Sequence, residues 1–215
     1  MKAKLILFFL IATSVAGFAQ QQGKYYFVKS GHIEYALGGN TTGTKTVWFD
    51  NYGMLSYSLI ESTTTVKILG FKNTTKTKEL EIRKGNTIWK ADLLEKTGIK
   101  MSIEAQTEVT TKLTKGKTDA QLNALEQKMV TDIGGKIEGN ETFLGCNCLK
   151  FSWGTTKHLQ YKGIPLKSDV TEMGISYTET ATLFERNILV SAAKFVPPAD
   201  IKFEDMGEML QNEIN

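Results

Sequence analysis

Apolar and polar residues alternate along most of the chain, which is the pattern of half-buried β-strands. Within residues 54–60, leucine and tyrosine occupy the odd positions from 55 to 59, and serine occupies the two positions between them. Residues 149–153 alternate in the same way. Clusters of glycine, asparagine and charged residues separate these segments and are typical of hairpin turns, as at Lys84-Gly85-Asn86. The pattern becomes less regular between Ile99 and Leu113, where we still expect strands.

One segment has helical spacing instead. Thr118 and Gln121 are three residues apart, the spacing of a capping box, and Gly134-Gly135 is a typical helix end. Apolar residues recur between these signals at helical intervals, namely Leu122, Leu125, Met129 and Ile133. The sequence therefore predicts an amphipathic helix at about 118–133.

The predicted fold class is α+β: a strongly curved antiparallel sheet, an incomplete β-barrel, covered by one or two helices. A long hairpin is expected with arms at 157–170 and 175–190, turned at Met173-Gly174, and Pro165 bends its first arm or places it at an edge. Residues 201–214 are expected to form a short terminal helix or a loose tail. No linker or repeat divides the chain, so residues 20–215 are predicted to be a single domain.

The first 19 residues are predicted to be a signal peptide. Lys2 and Lys4 precede an apolar run at 5–11, and Gly17 and Ala19 supply the small residues before a cleavage site. The apolar run is far shorter than the roughly 20 residues that span a bilayer, and no later segment reaches that length. We therefore expect a soluble protein in the periplasm or outside the cell.

Composition narrows the choice of class. The 215 residues are 41% hydrophobic and 23% charged, with a net charge of +3, which excludes a disordered chain and gives no indication of nucleic-acid binding. The 26 threonines favour a β protein over a helix bundle.

Cys146 and Cys148 are the most specific pair of chemical groups. In a strand they would face the same side with Cα atoms roughly 6.5–7 Å apart, at the limit for a disulfide. An oxidising compartment would favour a local disulfide if a turn brought them closer, whereas a regular strand would keep two structural thiols. A redox pair or a zinc site that uses these cysteines stays open as an alternative.

The remaining polar residues indicate no catalytic site. His32 and His158 are isolated, His158 falls on a face predicted to be solvated, and the acidic residues are scattered. Gly43 and Lys45 resemble a phosphate-binding loop, but Thr44 lies between them and a strand follows. We predict no catalytic residues, no metal and no cofactor, and hence a protein that is not an enzyme.

Large apolar side chains on several segments could line a cavity between sheet and helix, or could simply fill a packed core. The candidate ligand-binding residues are Trp48, Tyr57, Trp89, Leu122, Leu125, Met129, Phe151 and Trp153.

Three segments of the second half resemble a family. Residues 139–149 look like the G-x-E-x-x-x-G-x-x-C strand of secreted bacterial proteins in the LolA/LppX-like superfamily of periplasmic lipoprotein carriers. Residues 158–167 resemble their G-x-P-L-K strand, and residues 195–198 are similar to their closing F-x-x-P segment. The resemblance implies an incomplete barrel closed by helix, with an apolar cavity for acyl chains. The carriers use an arginine to gate the lid, and neither Arg83 nor Arg186 matches its position.

The expected function is binding of a lipid, a lipoprotein acyl chain or another apolar small molecule outside the cytoplasm. The alternative is an envelope structural or protein-interaction module with a packed interior and an envelope protein as partner.

Overall fold

The computed structural model describes residues 23–68, 71–172 and 175–207. Of these, 58% lie in strands and 19% in helices. All twelve strands belong to one sheet, in the order β12-β6-β5-β4-β3-β2-β1-β11-β10-β9-β8-β7. The predicted signal peptide at 1–19 and the predicted turn at Met173-Gly174 lie outside the described residues.

The sheet consists of two antiparallel meanders joined side by side. The first contains β1 (Gly31–Gly39), β2 (Thr41–Asp50), β3 (Leu55–Ile68), β4 (Phe71–Lys84), β5 (Thr87–Asp92) and β6 (Thr97–Ser102). The second contains β7 (Lys136–Phe143), β8 (Cys146–Trp153), β9 (Thr156–Tyr161), β10 (Ile164–Glu172) and β11 (Ile175–Arg186). The meanders join where β1 pairs with β11, with Gly31 opposite Arg186.

Two helices connect the meanders. They are α1 (Glu104–Thr114) and α2 (Asp119–Asp132). Thr118 caps α2, and the reciprocal side-chain bond from Gln121 completes the capping box that the spacing predicts. In the described part of the chain, neither helix has the length and apolar character needed to cross a membrane.

The predicted fold class is wrong in two respects. The chain is predominantly β, and its sheet is mixed, because β12 (Lys202–Asp205) pairs in parallel with β6. This strand takes up the first part of the segment 201–214, where a terminal helix or tail was expected, and residues 208–214 lie outside the described residues. It docks there because Gly98 has no side chain: a Cβ at this position would approach the Phe203 ring to 2.7 Å. The curved sheet with helices that the family resemblance implies is present, but the sheet is not closed.

Curvature brings distant strands of the sheet into one core. Val47 and Phe49 on β2 belong to the same buried cluster as Cys148 on β8 and Leu166 on β10. In the sheet order, β2 and β8 are separated by four strands, so the sheet must curl for these side chains to meet. The hydroxyl of Tyr35 on β1 also donates to the Pro165 carbonyl on β10, at 2.8 Å.

A second cluster lies on the opposite face of the first meander. Leu80, Ile82 and Ala91 are buried there beneath Ile201 and the ring of Phe203. The C-terminal segment therefore covers the outer face of the first meander, and the second meander packs on the inner face at β1 and β2.

Two predicted elements differ from the structure. Residues 104–114 form α1, not strands; the Thr111 and Thr114 hydroxyls donate to carbonyls four residues earlier, each at 2.7 Å, which accommodates threonine in the helix. The predicted arm at 157–170 is two strands, β9 and β10, because Lys162 and Gly163 take left-handed conformations and turn the chain. Pro165 lies at a register irregularity of β10, which is an interior strand.

Candidate functional site

Only part of the apolar surface of α2 is buried. Leu122, Glu126 and Val130 form the buried stripe that packs toward the sheet. Met129 is 53% exposed, and Ile133, at the end of the helix, is 57% exposed. The helix is therefore rotated so that much of its apolar surface faces away from the buried interior.

Helix α1 also leaves apolar residues exposed. Its buried residues are Thr107 and Thr114, whereas Leu113 is 41% exposed. Thr107 is hydrogen-bonded to the hydroxyl of Tyr25 at 2.9 Å, and the Thr114 hydroxyl accepts from the backbone N–H of Lys24 at 2.9 Å. The polar side of α1 thus holds the N-terminal segment in place, and its apolar side is left free.

These apolar side chains converge on a cavity of about 470 Å³ between the two helices, the N-terminal segment and β8–β9. Its volume falls in the range typical of small-molecule sites. The apolar lining comprises Tyr25, Phe27, Leu113, Leu125, Met129, Val130, Ile133 and Phe151. The polar and charged lining comprises Lys24, Thr110, Thr114, Glu126, Asp132 and Gln160, with Gly163 beside them. We call this space the helix cavity.

Glu126 is the buried acid of the helix cavity. One of its carboxylate oxygens accepts from the Gln160 side-chain amide at 2.7 Å and from the Gly163 backbone N–H at 2.8 Å. These bonds tie α2 to β9 and to the turn that follows it. Burial raises the pKa of Glu126, although both hydrogen bonds oppose the shift.

The structure places the predicted ligand-binding residues in two separate regions. Leu125, Met129 and Phe151 line the helix cavity, and Leu122 is buried beneath α2. Trp153, at the end of β8, is 53% exposed and is not part of the lining.

The other three aromatic residues lie on the first meander. Trp48 faces Tyr57 across β2 and β3, and Tyr57 and Trp89 pack on the outer cluster. The Lys194 ammonium lies 4.9 Å from the Trp48 ring centroid and 5.7 Å from that of Tyr57. None of these three residues lines the helix cavity, so no single site contains all eight.

Sequence reasoning missed part of the lining. Phe27 and Tyr25 come from a segment that resembles a strand but has no regular strand structure. Leu113 lies in the threonine-rich helix that was expected to be a strand. Ile133 belonged to the predicted helix stripe, which was the one usable signal for this part of the cavity.

A larger cavity, of about 810 Å³, lies along the inner face of the first meander. Nine of its 21 lining residues are charged, among them Lys45, Glu79, Glu81, Lys90 and Asp92. Two salt bridges, Lys45–Glu179 at 2.9 Å and Lys90–Glu81 at 3.2 Å, involve these residues. An apolar ligand would strip water from these charges, so the smaller helix cavity suits it better.

Both cysteines are free thiols in the inner core. Cys148 is fully buried, and burial raises its pKa to about 11; burial raises the pKa of Cys146 as well. Thiol–disulfide catalysts lower the pKa of their attacking thiol, so this environment favours structural thiols over a redox pair.

The histidines differ from their expected setting. His158 was predicted on a solvated face, but its ring stacks on Phe151 with centroids 4.9 Å apart, and burial lowers its pKa. His32 stacks on Trp48 at 3.8 Å. Among the described residues, no group of three histidine, cysteine or acidic side chains is arranged to hold a metal ion.

No protein-family model matches the sequence, and no curated protein matches it. An uncharacterized conserved protein from Thermus thermophilus superposes with a TM-score of 0.50 and 11% identity, over 83% of this chain and 91% of that one. This likeness shows a shared fold.

Two further solved structures are more distant. A chain of the Pseudomonas aeruginosa MucA/MucB complex gives a TM-score of 0.44 at 12% identity, over 81% of this chain. A separate crystal structure of MucB gives 0.40 at 10% identity, over 82% of this chain. The protein spans 57% and 60% of those two chains.

Proposed function

We propose that the protein is a non-enzymatic binding protein that takes up the chain of a lipid, or another apolar molecule, in the helix cavity. The observation that carries the proposal is the convergence of Leu113, Met129 and Ile133 on one opening although each is 41–57% exposed. Exposed apolar side chains that cluster around a cavity mark binding sites.

The driving force would be burial of hydrocarbon. Each methylene transferred from water into the cavity contributes about 0.8 kcal/mol, and the exposed side chains of the lining would add their own burial. The family resemblance of residues 139–198 supports the same ligand class. We place the protein in the periplasm or outside the cell on the strength of the predicted signal peptide.

Uptake of the neutral fluorescent probe N-phenyl-naphthylamine tests the proposal. We expect probe fluorescence to rise on binding, and Met129→Asp to weaken binding about tenfold or more, because a carboxylate at the opening would have to lose water when the probe enters.

Val109→Asp is the matched control. Val109 lies on α1 and is 56% exposed, close to the exposed fraction of Met129, but it is not part of the cavity lining. Binding by this variant should equal that of the unmodified protein. If the unmodified protein does not take up the probe, or if Met129→Asp and Val109→Asp bind it equally well, the helix cavity is not a ligand site.

The protein-interaction alternative has its own support. Among the described strands, β7 ends the sheet and pairs only with β8, so its other edge could accept a strand from a partner protein. Under this alternative, the apolar probe would not bind, and envelope proteins would protect the amide protons of residues 136–143 from exchange.

A further inference from the structure

A small basic pocket adjoins the helix cavity. It has a volume of about 240 Å³. Its charged lining consists of four basic residues and one acidic residue, namely Lys24, Lys29, Lys162, Arg186 and Asp119. The rest of the lining is Phe27, Val28, Tyr52, Tyr161 and Asn187.

Only one of the four cations is neutralised within the pocket. Lys162 forms a salt bridge of 2.8 Å with Asp119. Lys24 lies over the Tyr52 ring at 4.6 Å and is also attracted by the Asp119 carboxylate, and Arg186 donates to the Tyr161 hydroxyl at 3.3 Å. Among the described residues, no acidic side chain lies within 4.0 Å of the charged groups of Lys24, Lys29 or Arg186. The pocket therefore attracts anions.

The two spaces meet at the N-terminal segment. Lys24 and Phe27 line both of them. The segment is fixed on two sides, because the Phe27 backbone N–H donates to the Lys162 carbonyl at 2.9 Å and the Lys24 backbone N–H donates to Thr114. A molecule lying across this segment would have one end among apolar side chains and the other among cations.

Charge also fixes the direction in which such a molecule would lie. The helix cavity contains two acidic residues, Glu126 and Asp132, and one basic residue, Lys24. Asp132 is paired with Lys128 at 2.7 Å, so the repulsion of an anionic group comes mainly from Glu126, and the attraction from Lys24, the residue shared with the basic pocket.

We infer that the ligand is an anionic amphiphile, with its acyl chain in the helix cavity and its carboxylate or phosphate head group in the basic pocket. This inference rests on the proposed function and specifies the chemistry of its ligand. The head group belongs to the same molecule as the chain, so free inorganic anions are not the ligand.

Displacement of bound N-phenyl-naphthylamine tests the anionic head group separately from apolar binding in the helix cavity. The competitors are dodecanoate, dodecanol and dodecyltrimethylammonium, which share a twelve-carbon chain and carry a negative, neutral or positive head group. At neutral pH and low salt we expect dodecanoate to displace the probe at about tenfold lower concentration than dodecanol, and dodecyltrimethylammonium to be the weakest competitor. Salt should reduce the advantage of dodecanoate.

Two double variants test whether the basic pocket causes the preference for dodecanoate. Lys29→Gln with Arg186→Gln, which change residues of the basic pocket that do not line the helix cavity, should weaken dodecanoate about fivefold to tenfold and leave dodecanol and the probe unchanged. Lys72→Gln with Lys76→Gln removes the same charge from exposed positions of β4 and should have no effect. Probe binding also verifies that each variant is folded.

The outcomes are distinct. Equal displacement by dodecanoate and dodecanol, or an unchanged dodecanoate affinity in the Lys29/Arg186 variant, overturns the anionic head group but leaves apolar binding intact. Displacement by phosphate alone would show that the pocket binds free anions, which contradicts an amphiphile spanning both spaces. Failure of the protein to bind the probe at all overturns the proposed function itself.

Discussion

Ile33 on β1 is 1% exposed, whereas Ile133 at the end of α2 is 57% exposed. The two residues represent two regions that use apolar side chains in opposite ways. In the sheet, apolar positions face the inner and outer clusters and are buried. In the helices, two threonines and Glu126 are buried beside Leu122 and Val130, and apolar residues surround a cavity. The sheet therefore supplies most of the folding free energy, and the apolar surface of the helices is available to a ligand.

Replacing each isoleucine separately by alanine tests this difference between sheet and helices most directly. Ile33→Ala should lower the free energy of unfolding by about 2–5 kcal/mol, because it removes buried methyl groups and leaves a cavity. Ile133→Ala should change it by no more than about 0.5 kcal/mol. Urea denaturation measures both. Equal losses would mean that the helices contribute to the core as the sheet does.

Alkylation measures how reactive the buried thiols of the sheet core are. With the pKa of Cys148 raised to about 11, the thiolate fraction at neutral pH is about a hundredfold smaller than at the ordinary value of 9.0. Iodoacetamide should therefore label the native protein at least that much more slowly than the urea-unfolded protein. The intact mass should increase by two labels after unfolding. Rapid labelling of the native state would instead support a redox role, and absence of labelling after unfolding would indicate a disulfide.

Removal of the α2 cap should have a moderate effect. Thr118→Ala eliminates the side-chain acceptor for the Gln121 backbone N–H and should cost about 1 kcal/mol of stability. Thr131→Ala, at an exposed position of the same helix, should be neutral or slightly stabilising, since alanine is the better helix former. Similar losses in both variants would show that the capping box contributes little.

The smallest effect concerns the pH dependence of stability. Burial raises the pKa of Glu126, so the folded state holds its proton more tightly than the unfolded chain. Stability from this group is present below the unfolded pKa and is lost as the pH rises through the raised folded pKa. Glu126→Gln should remove that decline while keeping an oxygen acceptor for Gly163. Denaturation curves across acidic to neutral pH should converge at low pH; parallel curves would contradict the shift.

The elements that sequence patterns predict well are those whose cause is local. The alternation at 54–60, the turn at Lys84-Gly85-Asn86 and the capping box at Thr118 all depend on neighbouring residues, and all are present. The parallel pairing of β12 was not predictable in this way, because it depends on Gly98 and Phe203, which are far apart in the sequence.

The candidate site was only partly accessible for a related reason. Leu125 and Met129 share a helix face with Ile133, so helical periodicity identified them together. Which face of α2 is buried depends on the bonds that Glu126 makes with Gln160 and Gly163, and no local pattern contains that information. Trp48 and Phe151 were grouped because both are aromatic, yet the sheet directs them to different regions.

The pairing of β1 with β11 has a kinetic consequence. Gly31 pairs with Arg186, which is separated from it by most of the sequence, and the inner core contains residues from both meanders. The first meander can form its hairpins early, but its inner face has no cover until the last long strand has been synthesised. Such high contact order slows folding and delays completion of the core until nearly the whole chain is available. A chain truncated before β11 should therefore remain an open, aggregation-prone half-sheet and should not fold as a smaller stable domain.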